Sequence, residues 1–114
     1  MENNMGNPDL INQLNDITSR MSQSIKKLAQ YGKDRAQAEY NYRIKVRQEA
    51  FKMKSDGETV TMINLAVRGK QEVAKAMLER DVAEALYETA QENINVLKLQ
   101  ARLLEAQIDR EWHS

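Results

Sequence analysis

The stretch AQAEYNYRIKVR, residues 36–47, decides the fold because it fits two secondary structures. Every second side chain is apolar, which is the pattern of a half-buried strand. Such a strand needs a partner, and only residues 59–67, across the turn at Asp56-Gly57, are placed to supply one in a hairpin. As a helix, the same stretch would carry apolar side chains on two of its sides.

The residue types in and around this stretch favour the helix. Between residues 33 and 54, Ala, Glu, Gln, Arg and Lys are abundant, and these form helices better than strands. A two-stranded hairpin without a sheet to join is also only marginally stable. In helical projection, one apolar side holds Tyr42, Val46, Ala50 and Met53. The nearly opposite side holds Tyr40, Ile44 and Phe51. We therefore predict a helix with two apolar stripes.

The composition of the whole chain supports an all-α fold. Of its 114 residues, 30% are charged and 5% are aromatic, with one Pro and four Gly, which favours helices over an all-β fold. The length is usual for one domain. The absence of Cys excludes disulfides and suits a reducing compartment. No stretch has the pattern of a signal peptide or of a membrane span of about 20 apolar residues. We expect a cytoplasmic protein with no membrane partner.

Capping signals predict where the helices begin and end. Asn7 and Pro8 suit the N-cap and the first position of a helix. Gly32 is expected to kink or break that helix, and Gly57 suits a C-terminal cap. The long last segment contains neither Pro nor Gly. The predicted elements are a flexible N-terminus at 1–7 and helices at about 8–31, 33–55, 61–68 and 70–112, all within a single helical domain at 8–114.

The last helix carries two apolar stripes of its own. One, which we call the seam, keeps a seven-residue rhythm typical of coiled coils and consists of Ala83, Tyr87, Ala90, Ile94, Leu97, Ala101, Leu104 and Ile108. The other, which we call the outer set, consists of Leu78, Ala85, Val96, Leu99 and Leu103. A helix that is apolar on two sides normally has neighbours on both. The sequence therefore predicts a long antiparallel, coiled-coil-like helical hairpin with an additional N-terminal helix, which self-associates through the seam, most simply as a homodimer that forms a helical bundle.

Few residues could support catalysis. The single His, His113, lies near the C-terminus, and the chain has no Cys, so general bases and nucleophiles are scarce. Carboxylates at helical spacing could present a hard cation, but a solvated acidic face that pairs with nearby basic groups is the favoured interpretation; these are Glu79, Asp81, Glu84 and Glu88. There is no glycine-rich phosphate loop. We expect no enzyme activity, no catalytic residues, no metal site and no cofactor.

A basic segment raises the possibility of nucleic-acid binding. Residues 26–54 hold nine basic and three acidic side chains, a net charge of +6. Its candidate phosphate contacts are Arg43, Arg47 and Lys54, with Tyr40 nearby to stack on a base. The favoured alternative is that this segment pairs with the last helix, because residues 70–114 carry a net charge of −3. The tyrosines and Phe51 are expected in the core.

Three pieces of the chain resemble a known group of proteins: YGKDRAQAEYNYRIKVRQEAF, VTMINLAVRG and ERDVAEALYETAQENINVLKLQARLLEAQIDREW, at 31–51, 60–69 and 79–112. In their order they are similar to uncharacterised small proteins encoded by phages and prophages of Gram-positive bacteria. The resemblance implies a phage gene from an early region, near replication and recombination functions, and it implies no chemistry.

Two classes of function follow as expectations. The first is a non-enzymatic interaction protein that binds a host or phage protein, as an accessory to DNA metabolism or as an inhibitor of a bacterial defence system. The second is a helical dimer that binds nucleic acid through the basic segment. The sequence identifies neither the protein partner nor its role.

Overall fold

The described part of the chain is helical. The computed structural model describes residues 8–113, which form three α-helices and one 3-10 turn. Helix α1 spans Pro8–Ser55, α2 spans Val60–Ala66, the 3-10 turn spans Val67–Gly69, and α3 spans Gln71–His113. Residues 8–113 contain no strand, so the all-α prediction is confirmed and the stretch 36–47 is helix. The predicted flexible N-terminus lies outside the described residues.

Helix α1 corrects one predicted boundary. The break expected at Gly32 does not occur, because α1 continues through this residue. A glycine inside a helix costs only about 1 kcal/mol relative to alanine, which the neighbouring turns can offset. At Gly32 a Cβ would meet the Tyr87 ring, with 3.4 Å between that Cβ and Cε1. A Cβ at this position would thus be in ordinary van der Waals contact with the ring.

The connection from α1 to α2 forms as predicted at Gly57. The Glu58 N–H donates to the Met53 carbonyl and the Gly57 N–H donates to the Lys54 carbonyl, which is the Schellman arrangement at a helix C-terminus. Gly57 has a φ of +90°, a conformation that a side chain would strain. Thr59 then caps α2, because its side chain accepts a hydrogen bond from the Met62 N–H.

The packing contacts group into two compact units. Among the described residues, unit 1 holds residues 8–29 with 88–113, and unit 2 holds residues 30–87. The single helical domain at 8–114 stays a prediction.

The core of unit 2 combines α1, α2, the 3-10 turn and the start of α3. Its buried residues are Tyr42, Met53, Ile63, Val67, Val73 and Ala76, with Val46, Ala50, Ala66 and Met77 packed against them. All members of the apolar side predicted for Tyr42 therefore belong to this core. Residues that come later in α1 contact residues that come earlier in α3, since Arg35 pairs with Glu84 and Tyr42 contacts Arg80.

The interior of unit 1 is built from apolar residues of α1 between residues 10 and 28 and from the seam of α3. Leu10, Ile17, Ile94 and Leu97 are buried, and apolar residues at helical spacing beside them are half-buried. The Asn93 side-chain amide donates a 3.0 Å hydrogen bond to the Ser24 hydroxyl. The three- and four-residue spacing in both segments explains this burial, because it directs one face of each helix inward.

Candidate partner-binding surface

A groove on unit 2 combines apolar walls with arginines. Its volume is about 400 Å³, and we call it the arginine groove. The lining consists of Tyr40, Tyr42, Arg43, Ile44, Val46, Arg47 and Arg68. Six of these residues lie within two turns of α1, and Arg68 comes from the 3-10 turn before α3. The groove therefore depends on the packing of the α2 region against α1.

Tyr42 is the buried residue of the groove lining, and two arginines hold its side chain in place. It is buried in the unit 2 core, and its hydroxyl accepts a 3.4 Å hydrogen bond from Nε of Arg68. The guanidinium carbon of Arg80 lies 4.3 Å from the centroid of the Tyr42 ring, a cation–π arrangement. Tyr42 is thus held at its hydroxyl and at one ring face, which gives a buried tyrosine the polar partner that it needs.

Arg80 is itself held in place by Asp81. Its Nη2 lies 3.0 Å from Oδ1 of Asp81. The hydrogen bond to this carboxylate raises the pKa of Arg80 above its ordinary value, and nearby negative charge acts in the same direction. The side chain over the Tyr42 ring is therefore a charged guanidinium, as a cation–π contact requires.

Two of the three arginines of the groove form no ion pair among residues 8–113, so each can bind an anion. Arg43 forms an ion pair with Glu39 one turn earlier in α1, with 2.7 Å between Nε and Oε2. Within residues 8–113, Arg47 has no ion pair or hydrogen bond, and Arg68 has only its bond to the Tyr42 hydroxyl. None of the seven lining residues carries a carboxylate. The groove is therefore positively charged.

The predicted pairing between the basic segment and α3 is sparse. Of the ion pairs found in residues 8–113, only that of Arg35 with Glu84 joins the two, at 3.0 Å. The basic segment otherwise pairs within α1, as Arg43 does with Glu39. Arg43 and Arg47 line the groove, whereas the third predicted nucleic-acid contact, Lys54, lies outside the lining. All three side chains are exposed.

Two aromatic residues expected in the core lie at the surface. Tyr40 is 61% exposed and Phe51 is 71% exposed, so the expectation was wrong for both. They belong to the stripe opposite Tyr42, whose third member, Ile44, is also exposed. Sequence reasoning also missed Arg68. It lies 26 residues from Tyr42, and no local pattern brings the two together.

The seam of α3 faces inward within the single chain. All eight seam residues are buried or half-buried; in unit 2 these are Ala83 and Tyr87, and in unit 1 they are Ala90, Ile94, Leu97, Ala101, Leu104 and Ile108. The five residues of the outer set are all exposed. A role of the seam in self-association stays a prediction, and the outer set is the apolar surface that remains available to another molecule.

The carboxylates weighed as cation ligands do not form a cluster. Asp81 pairs with Arg80 and Glu84 pairs with Arg35, as expected for an acidic face with basic neighbours. In the described range, no group of three or more His, Cys, Asp or Glu residues is arranged to hold a metal ion. Nor does any helix there combine the length and apolar character needed to cross a membrane.

Comparison of the chain with known proteins finds no matching family model, no matching curated protein and no matching solved structure.

Proposed function

We propose that this chain is a non-enzymatic helical interaction protein that self-associates and binds a host or phage protein. The observation that carries the proposal is the number of large apolar side chains at the surface. Fifteen are exposed in the described residues, whereas the buried core holds ten apolar residues. Four of the exposed residues, Leu78, Val96, Leu99 and Leu103, lie along α3 on the side opposite the buried seam, and a helix that is apolar on two sides normally has neighbours on both.

The proposed assembly is an antiparallel helical hairpin that dimerises into a bundle. The reversed order of the contacts between α1 and α3 in unit 2 supports the hairpin. The outer set supports the dimer, because its leucines and valine remain exposed after the seam has been covered. A second copy would bury them without any change in the fold of either chain.

The proposed biological setting is the cytoplasm of a bacterial host during phage infection. It rests on the resemblance of three segments to small phage and prophage proteins. In that setting the chain serves either as an accessory to DNA metabolism or as an inhibitor of a bacterial defence system. Both roles need a stable surface for a partner and neither needs catalytic chemistry.

Light scattering on a sizing column tests the assembly. We expect a molar mass twice that of the chain, at low and at high salt, because apolar contacts resist screening. Leu99→Glu, in the outer set, should return the protein to the monomer mass. The matched control Gln100→Glu places the same carboxylate at an exposed polar position and should leave the dimer intact. A wild-type protein that stays monomeric at high concentration would refute the proposed self-association.

A second candidate function is nucleic-acid binding, and one observation favours it. The exposed ring of Tyr40 lies in the same groove as Arg43 and Arg47, which is the combination that contacts bases and phosphates. Binding to a short duplex should then weaken with salt, with a slope of about −0.9 per phosphate contact in a plot of log affinity against log salt. Arg43→Glu together with Arg47→Glu should abolish the binding. Affinity that is independent of salt would exclude this function.

A further inference from the structure

We infer that the arginine groove binds an acidic segment of a protein partner, and that this segment inserts an apolar side chain between the arginines. The inference rests on the proposed function, since it names the chemistry of the partner. It also assigns the contact to one surface of unit 2 rather than to the outer set.

The charges of the groove select an anionic ligand. Three guanidinium groups line it and no carboxylate does. Glu39 neutralises Arg43 from outside the lining, whereas Arg47 and Arg68 have no ion pair within residues 8–113. A guanidinium presents five N–H donors in a planar fork that matches a carboxylate. Arg47 and Arg68 can therefore each donate hydrogen bonds to a carboxylate of the ligand without breaking an ion pair within this chain.

The walls of the groove select an apolar side chain. Ile44, Val46 and the ring of Tyr40 contribute apolar surface next to the arginines. A volume of about 400 Å³ lies at the small end of the range for ligand sites, which suits one or two side chains rather than a folded domain. A purely acidic ligand would leave these walls in contact with water, so an apolar group on the ligand adds affinity.

The same lining is less suited to a nucleotide. Arg80 covers one face of the Tyr42 ring, and Arg68 donates to the Tyr42 hydroxyl, so Tyr40 supplies the one ring of the groove without such a contact. A base also carries N–H donors at its edge, and the lining side chains offer only the two tyrosine hydroxyls as acceptors, of which that of Tyr42 already accepts from Arg68. Donors left unpaired in this way are unfavourable. Lys54 lies outside the groove, so the cations do not follow the path of an extended backbone.

The experiment uses the full chain and a fluorescent probe peptide, a short run of glutamates that ends in leucine and phenylalanine. Binding is measured by fluorescence anisotropy. We expect saturable binding that weakens about tenfold in Arg47→Glu, because a charge-assisted hydrogen bond is lost and a repulsive charge is added. Lys54→Glu makes the same change of charge two turns further along α1, outside the groove, and should change the affinity less than about twofold.

A second pair of measurements tests the apolar wall. A peptide with the same glutamates but a terminal alanine pair should bind several-fold more weakly than the probe, since it buries less apolar surface. In Ile44→Ser, the two peptides should bind with similar affinity. Ile44 and Arg47 are at the surface, and circular dichroism checks that the variants keep the wild-type helix content.

Each contrary outcome has a distinct meaning. Equal binding of both peptides by the wild type would overturn the apolar part of the inference, and equal losses in Arg47→Glu and Lys54→Glu would overturn the assignment to the groove. An oligothymidylate that binds where the peptide does not would assign the groove to nucleic acid. Failure to bind the peptide overturns the inference alone, because the molar mass of the wild type and of Leu99→Glu tests the proposed self-association independently.

Discussion

Replacement of Val73 by alanine should lower the free energy of unfolding by about 2 kcal/mol. Val73 is 0% exposed and is the most completely buried side chain described in the chain. It packs in the unit 2 core with Tyr42, Met53, Ile63 and Val67. The substitution removes two methyl groups, which lose about 1.6 kcal/mol of transfer free energy at about 0.8 kcal/mol each. A residual cavity of about 30 Å³ adds about 0.7 kcal/mol, and the better helix propensity of alanine returns about 0.5 kcal/mol.

Val60 provides a matched control for this prediction. It lies in the first turn of α2, as Val73 lies in the first turn of α3, so the change in helix propensity is similar at the two positions. Val60 is 71% exposed, and its replacement by alanine should change the stability by less than about 0.5 kcal/mol.

Urea unfolding followed by far-ultraviolet circular dichroism measures both variants. The protein concentration must be the same throughout, because association would add to the apparent stability. With an m-value of about 1.5 kcal/mol/M, the midpoint of Val73→Ala should fall by about 1 M, while that of Val60→Ala should stay near the wild type. Equal midpoints for the two variants would mean that the unit 2 core does not hold Val73, and the packing of α3 against α1 and α2 would have to be revised.

Further substitutions test other features by the same unfolding measurement. Leu97→Glu should destabilise the chain by about 3 kcal/mol or more, because it buries an unpaired carboxylate where the leucine is 5% exposed. Gln100→Glu, at an exposed position that leaves the proposed dimer intact, should cost far less, and similar losses in the two variants would refute the inward seam. Gly57→Ala should cost about 1 kcal/mol because of its positive φ, whereas Gly69→Ala, with nothing within 4 Å of the added Cβ, should be nearly neutral. Gly32→Ala should stabilise the continuous α1 by about 0.5 kcal/mol, because alanine has the higher helix propensity and the added Cβ would only contact the Tyr87 ring, at 3.4 Å. A marked loss of stability would show that the ring cannot adjust.

Local chemistry was sufficient to predict several parts of the fold. Helix propensity decided the structure of 36–47, and the positive φ and hydrogen bonds at Gly57 follow from its position after a helical segment. In each case the deciding interaction lies within a few turns of the residue concerned.

The remaining features depend on contacts that are distant in sequence. Gly32 was expected to break α1, but the helix continues and the glycine lies against Tyr87. The exposure of Tyr40 could not be predicted because α1 carries two similar apolar stripes, and periodicity does not say which one is covered. The arginine groove depends on Arg68, which reaches Tyr42 only after α2 and the 3-10 turn have packed.

The contacts within each unit also imply an order of folding. The hydrogen bond between Arg68 and Tyr42 joins residues 26 apart, that between Arg35 and Glu84 joins residues 49 apart, and that between Asn93 and Ser24 joins residues 69 apart. The entropy lost in closing a loop rises with its length, so the shortest loop closes at the lowest entropic cost, and each pair already formed shortens the loop left for the next. Folding should therefore begin near the α1–α2 connection, and contacts between residues further apart in sequence should form later. Accordingly, the amide protons of the unit 1 segments should exchange with solvent before those around Tyr42.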